Sequence, residues 1–386
     1  MATQGKQKLT ELLGIAYPIF AFTHCRDVVV AVSKAGGMGV LGAAVLTDQQ
    51  LEIDLRWIED KLGDTPYGVD LMMPSKYVGA EEGGISRVAL DKLIPEEHRK
   101  FAEGLLEKAG IPPLPADSSS SEDRGMRYSQ KETKSVIDIS FAHKPRLLVS
   151  ALGTPPAYVI EGAHQRGIPV AALAGQRKHA ERHKAAGVDI IIAQSYEAGG
   201  HTGDIGGMVL IPEIVDAVAP TPVLAAGGVM GGRQMAAALA LGAQGVWCGS
   251  IWLTTTESEL DRMAKEKLLA SGTNDTTRTK SITGKHARFL KSQWTEEWDR
   301  PDTPAPLEAP LQPMLWQDCF RRVHRALEAP GTTSESGAYQ LYTYPVGQGV
   351  GTMNDIRSAR EVVRDMITAY VETIVNLNDE LGDGSR

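Results

Sequence analysis

The sequence predicts an α/β protein: a (β/α)8 (TIM) barrel over residues 1–254, with a long insertion after the third strand at about 81–144, and a smaller appended helical domain over 255–386. Three observations carry this. Eight short apolar runs alternate with helix-like stretches, the pattern of a parallel sheet covered on both faces. The late runs end in glycine-rich turns, the place where such folds keep their ligand. Past Leu253 the alternation stops and the chain becomes helical and irregular.

Tyr17–Ala21 reads as the first strand, and Asp27–Ala35 as a helix stopped by Gly36-Gly37. Val40–Gly42 is the second strand, Leu51–Leu62 has helical spacing, and Tyr67–Met72 is a third strand closed by Pro74. Glu81–Lys144 breaks the pattern with Ile111-Pro-Pro-Leu-Pro, four serines at 118–121 and a polar stretch. Only Leu90–Leu106 looks helical, so the segment reads as a surface excursion. The alternation resumes with strands at Arg146–Ala151, Ile168–Leu173, Ile190–Ala193, Pro222–Ala226 and Gly245–Ser250. The helices between them are Pro155–Gln165, Arg177–Ala186, Ile211–Val218 and Arg233–Leu241. An open doubly wound sheet would also alternate, but eight parallel strands favour closure. Beyond the barrel, Glu257–Leu269 and Asp355–Asn376 read as amphipathic helices, the second packing back on the barrel through Ala359, Val363, Met366 and Ile367.

The 386 residues exceed the roughly 250 of a plain barrel. A net charge of −8 argues against a general nucleic-acid surface. No run approaches the about 18 apolar residues of a membrane span, and no signal-peptide core opens the chain. Three scattered cysteines, Cys25, Cys248 and Cys319, fit a reducing compartment. A cytoplasmic protein without nucleic-acid or membrane partners is therefore expected; a homodimer is left open.

Asp189–Gly203 is the stretch that concentrates chemistry. An apolar strand leads into Glu197-Ala-Gly-Gly-His-Thr-Gly203, which puts His201 on a turn roomy enough for a flat ligand. Histidine is the usual acid-base group near neutrality; a loop histidine bonded to a carbonyl is the plain alternative. The turns after the last two strands, Gly227-Gly228 and Gly249-Ser250, would be neighbours in a barrel, and their bare amides suit a phosphate. His179-Ala-Glu-Arg-His183 has its glutamate misplaced for a zinc motif and reads as a solvated helix face, so no metal is expected. Cys248 lacks a sequence-adjacent base and reads as buried and inert. Lys76, Arg278 and Lys280 are loop cations that could steer an anionic substrate.

Taken together, Glu197–Gly203, Pro222–Val229 and Gly242–Ser250, with Leu13–Ile19, Ser33–Gly39, Thr277-Arg278 and Gly347–Gly351, resemble the nitronate monooxygenase family, formerly called 2-nitropropane dioxygenases. The resemblance implies an FMN-bearing barrel closed by a small helical domain, taking a nitronate or other electron donor and dioxygen. Gly227, Gly228, Gly249 and Ser250 would hold the FMN phosphate. Gln194, Gly199 and Gly200 would line the ring, His201 would face the substrate as catalytic residue, and Gln348 and Gly349 would close the site. Two departures are this chain's own. Phe22-Thr23-His24 replaces the usual Ala-Pro-Met, which leaves main-chain contacts to the cofactor at Phe22 and adds a second ionisable ring at His24. Asp70 stands where Asn is usual; an ionised carboxylate there would lower the flavin potential. The activity implied is oxidation of alkyl nitronates, and of nitroalkanes if His201 acts as base, to a carbonyl compound and nitrite. Two other readings stay open. One is an NAD(P)H-dependent FMN reductase acting on an enoyl thioester or quinone; the other is a non-catalytic flavin or phosphate-ligand binding module.

Overall fold

A computed structural model describes residues 9–73, 87–115 and 130–383. Helix α1 (Leu9–Leu13) leads into the alternation β1 (Ile19–Thr23), α2 (Arg26–Lys34), β2 (Met38–Gly42), α3 (Asp48–Leu62) and β3 (Gly68–Leu71). Next come α4 (Arg87–Asp91), α5 (Glu96–Lys108), α6 (Gln130–Ala142), β4 (Leu147–Ser150), α7 (Ala157–His164), β5 (Val170–Ala174) and α8 (Arg177–Ala185). The series continues through β6 (Ile190–Gln194), β7 (Gly200–His201), α9 (Gly207–Val218), β8 (Val223–Ala226), α10 (Gly232–Ala240) and β9 (Gly245–Cys248). The strands pair in parallel in the order β1-β2-β3-β4-β5-β6-β8-β9 and close, β9 returning to β1 through Ile19↔Val246 and Phe20↔Trp247.

Local chemistry explains the covering helices. Thr47 caps α3 by accepting the Gln50 amide at 3.1 Å, and Leu51, Leu55, Ile58 and Leu62 then recur on one buried stripe. Each contributes about 2 kcal/mol of burial. The helix stops at Gly63, whose φ is 57°. Because strand side chains alternate, half of every barrel strand faces the helices and half the lumen. Phe20, Met38, Val40, Leu147, Val149, Ile190, Ile192, Leu224 and Trp247 fill the lumen. The same parity turns Phe22, Gly42, Asp70 and Gln194 inward at its carboxyl end, above that packed layer.

A second core lies outside the barrel. It joins Leu90, Ala102, Leu105, Leu106 and Ile111 to side chains from α11 (Arg262–Leu269), β11 (Ala287–Leu290), α12 (Gln293–Trp298), α13 (Leu311–Leu327) and α14 (Gly337–Leu341). Strand β10 (Thr276–Thr279) pairs with β11. The surface-excursion reading of 81–144 therefore fails in two places. Residues 90–111 are core of this second cluster, and α6 belongs to the barrel, with Val136 and Ile137 in the layer between strands and helices. The serine run, Pro74 and Lys76 lie outside the described residues.

The last helix, α15 (Ala359–Asp383), begins four residues later than the sequence suggests and packs against α10 and α2. Ala359, Val362, Val363 and Met366 are its buried face. The approach to α10 is close enough that a Cβ on Gly232 would sit 2.1 Å from the Tyr370 nitrogen. Among the described residues no helix is long and apolar enough to cross a membrane.

Candidate active site

The turns after β6, β8, β9 and β1 meet at the carboxyl end of the barrel. Ser195, immediately after β6, is fully buried, and its amide donates to Ala226 O at 2.9 Å. Gly227 follows β8 with φ of 103°, and a Cβ there would come within 2.3 Å of Ser195 Oγ and 2.9 Å of the Ala198 nitrogen. Only glycine allows this approach. From the C-terminal segment, a strap at Gly347–Gly349 crosses the same turns. The Gln348 amide donates to Glu197 O at 2.9 Å, and the Gly347 amide donates to Ser250 Oγ at 2.9 Å. That bond leaves the Ser250 hydroxyl proton available. Gly199 and Gly347 are fixed by mutual contact, since a Cβ on Gly199 would lie 2.8 Å from the Gly347 nitrogen. Gly349 rests on Met230 in the turn after β8. The side-chain direction of Gly200 is open, with nothing within 4 Å, and that of Gly249 meets only Phe22, at 3.8 Å.

His201 is not on a free loop. It forms the two-residue β7, which pairs antiparallel with β11 through Ala287↔His201 and Arg288↔Gly200, making a small sheet in the order β10-β11-β7 across the barrel mouth. Arg288, 2% exposed, fixes that sheet to the β6 turn: its Nε and one Nη donate to Tyr196 O at 3.2 and 3.0 Å. His201 Nε2 lies 3.1 Å from Thr283 Oγ1, and the Thr283 hydroxyl donates to Lys285 O at 2.9 Å. With its proton spent there, Thr283 Oγ1 accepts from Nε2–H, so Nδ1 of His201 carries the lone pair. Burial, with nearby Lys285, pushes the imidazole pKa down to about 4. His201 is therefore neutral at pH 7.

Asp70, 2% exposed in the lumen, has an Oδ1 without a hydrogen-bond partner among the described residues, as does Ser195 Oγ. Burial, only partly offset by the Ala151 amide, raises the Asp70 pKa to about 8. At neutral pH it is mainly a carboxylic acid, so the ionised group considered from sequence is the minor form. His24 sits beside it above Gly42: Nδ1 donates to Gly42 O at 2.7 Å, and the ring meets Phe22 edge-on at 5.2 Å. Burial lowers its pKa, keeping the ring neutral. Phe22 stacks on Trp247 at 6.0 Å. Gln194 ends β6 facing the same lumen.

Three side candidates resolve differently. His183 is buried, not solvated: Nε2 donates to Leu173 O at 3.0 Å and Nδ1 faces Thr154 Oγ1 at 2.9 Å, so it is a packing residue of the barrel wall. Arg278 is paired to Asp204 at 2.6 Å and lies over the Tyr196 ring. Cys248 is buried, and desolvation pushes its thiol up to about 12. Sequence reasoning missed Ser195, Thr283, Glu197 and Arg288. Only Arg288, a lone cation inside the short apolar run Ala287–Leu290, left a signal that could have been read.

These residues fit a flavin. Tight glycine turns, a free hydroxyl proton at Ser250 and the unpartnered Asp70 and Ser195 oxygens offer phosphate and ring contacts on one face of the barrel. The closed parallel barrel gives the architecture, and family membership gives the class, a flavin-dependent oxidoreductase. A family model described as nitronate monooxygenase matches residues 6–369, and the chain belongs to that family. A Mycobacterium tuberculosis protein with a provisional monooxygenase name is 53% identical over 96% of this chain and 98% of its own. A Staphylococcus saprophyticus protein provisionally named nitronate monooxygenase is 32% identical over 80% and 84%. Among solved structures, a nitroalkane oxidase from Streptomyces ansochromogenes aligns with TM-score 0.76 and 26% identity, covering 96% of this chain and 99% of its own. FabK from Thermotoga maritima, at TM-score 0.69 and 22% identity over 98% and 100%, shares the fold.

Proposed function

We propose that the chain binds FMN at the carboxyl end of the barrel and oxidises alkyl nitronates with dioxygen, giving a carbonyl compound and nitrite. The observation that carries the reading is the meeting of the β6, β8 and β9 turns with the Gly347–Gly349 strap above an inward-facing Asp70 and Gln194. Family membership and the nitroalkane oxidase likeness support nitro compounds as the substrate class. The chemistry supplied by bound FMN is electron transfer from nitronate to dioxygen.

In this reading Gly227, Gly228, Gly249 and Ser250 bind the phosphate, Ser250 donating through the proton its bond to Gly347 leaves free. Gln194, Gly199 and Gly200 line the ring. Asp70, protonated, donates to the ring edge, a role the deprotonated acid could not fill. His201 supports the nitronate over the neutral nitroalkane as the favoured substrate. A nitronate has already lost its carbon proton, while an imidazole near pKa 4 is a poor base for removing one at pH 7. With neutral nitroalkane, Nδ1 is the atom that accepts the proton.

Anaerobic mixing tests this: propyl nitronate should bleach the flavin without nicotinamide. Bleaching by NADH or NADPH alone would favour a reductase, and none by either donor a binding protein. His201→Asn should abolish turnover of the nitroalkane while largely sparing the nitronate.

A further inference from the structure

Outside the barrel mouth, a cleft of about 370 Å³ opens between the β10–β11 hairpin and residues 298–306. Its chemistry is lopsided. Among the described residues, Trp298 Nε1 and Arg278 Nε are buried hydrogen-bond donors with no partner, and both side chains line the cleft. Trp298 itself is 2% exposed. Lys280 stands exposed at the rim, and its ammonium forms no ion pair or hydrogen bond among the described residues. The other charges are spoken for: Arg278 is paired to Asp204, Arg300 to Asp302 and Glu297, and Asp299 accepts the Thr279 hydroxyl at 3.0 Å beside His286. The remaining wall is apolar, from Pro301, Pro304 and Pro306. One spare cation at the rim and a proline wall, with two unpartnered donors buried just beneath the lining, match a ligand that brings one negative charge and an apolar body.

The cleft also shares a wall with the barrel mouth. The turn that carries Lys280 and His286 is the one whose Thr283 hydroxyl accepts from His201, and Ala287 is the register partner of His201. We propose that this cleft is a second binding site, for an organic oxyanion, with Lys280 as its charge-recognising residue. Carboxylate and phosphomonoester share the recognising chemistry, so benzoate and phenyl phosphate are the probes and benzamide the neutral control.

The test is titration calorimetry of the flavin-loaded full chain with each probe, on wild type, Lys280→Gln and Lys280→Arg. Benzoate, phenyl phosphate or both should bind, benzamide should not, and whichever anion binds identifies the group preferred. Lys280→Gln should weaken that anion about tenfold, the loss of one charge-assisted contact, and Lys280→Arg should restore most of it. Lys280 is exposed, so neither substitution threatens folding. Equal binding of benzamide, unchanged affinity in Lys280→Gln, or no heat from either anion at about 10 mM would overturn the proposal. Anion binding insensitive to Lys280 would place the ligand at the barrel mouth instead.

Discussion

Replacing Asp70 by Asn tests the electrostatics of the barrel lumen directly. Asp70 titrates near 3.8 in an unfolded chain and near 8 when folded, because burial disfavours its charge. Neighbouring His24 is neutral and supplies no compensating cation. The folded state thus holds a proton that the unfolded state releases between those values. The stability linked to that proton is complete below pH about 4 and is lost progressively as pH rises to about 8. At about 1.4 kcal/mol for each pH unit between the two values, the loss across roughly four pH units is on the order of 5 kcal/mol. Asn has the same shape and no proton to lose, so Asp70→Asn removes that slope. Thermal unfolding of the flavin-free chain from pH about 5 to about 8 should show wild type falling relative to the variant, the gap widening with each pH step. A gap that stays constant across this range would refute the argument that Asp70 is a protonated, unpartnered acid. Flavin retention offers a second readout, since Asn can also donate and should keep the cofactor at alkaline pH where wild type releases it.

Gly227→Ala should cost about 1–3 kcal/mol from backbone strain alone, with the Ser195 clash added, and should lower the flavin-to-protein ratio of the purified chain. Arg288→Ala strips the Tyr196 carbonyl of two charge-assisted bonds and should destabilise by about 3 kcal/mol, seen as a lower melting temperature and faster proteolysis around residues 196–203. Nitronate turnover should be flat from pH about 5 to 7, because His201 gains its proton only near 4, and should fall above that as Asp70 loses its proton near 8; an inflection close to the ordinary histidine value would contradict the lowered His201 pKa.

The barrel was legible because its determinants are local. Apolar runs such as Ile190–Ala193, and breaks such as Gly36-Gly37, announce each element without reference to partners. The second core was not legible. Leu90, Leu105 and Leu106 have helical spacing, but what they cover lies about two hundred residues away in α13, and spacing does not name a partner. His183 was misread for the same reason: flanked by Arg182 and Lys184 it looks solvated, yet one face of α8 turns it onto Leu173. The glycine turns around Gly199, Gly227 and Gly249 stood out in the sequence. The hydroxyl that holds His201 came from Thr283, on a segment that looked irregular.

By itself, then, the sequence announced eight strands alternating with helices, favouring a closed barrel over an open sheet, and the glycine turns that mark its working end, since each follows from periodicity and backbone permissiveness within a few residues; closure itself came from β9 returning to β1. The tertiary structure alone decided the protonation of the site. Asp70 holds its proton because it is buried, and His201 does without one because it is partly taken from water beside Lys285; both depend on what packs around a side chain rather than on its neighbours in the chain.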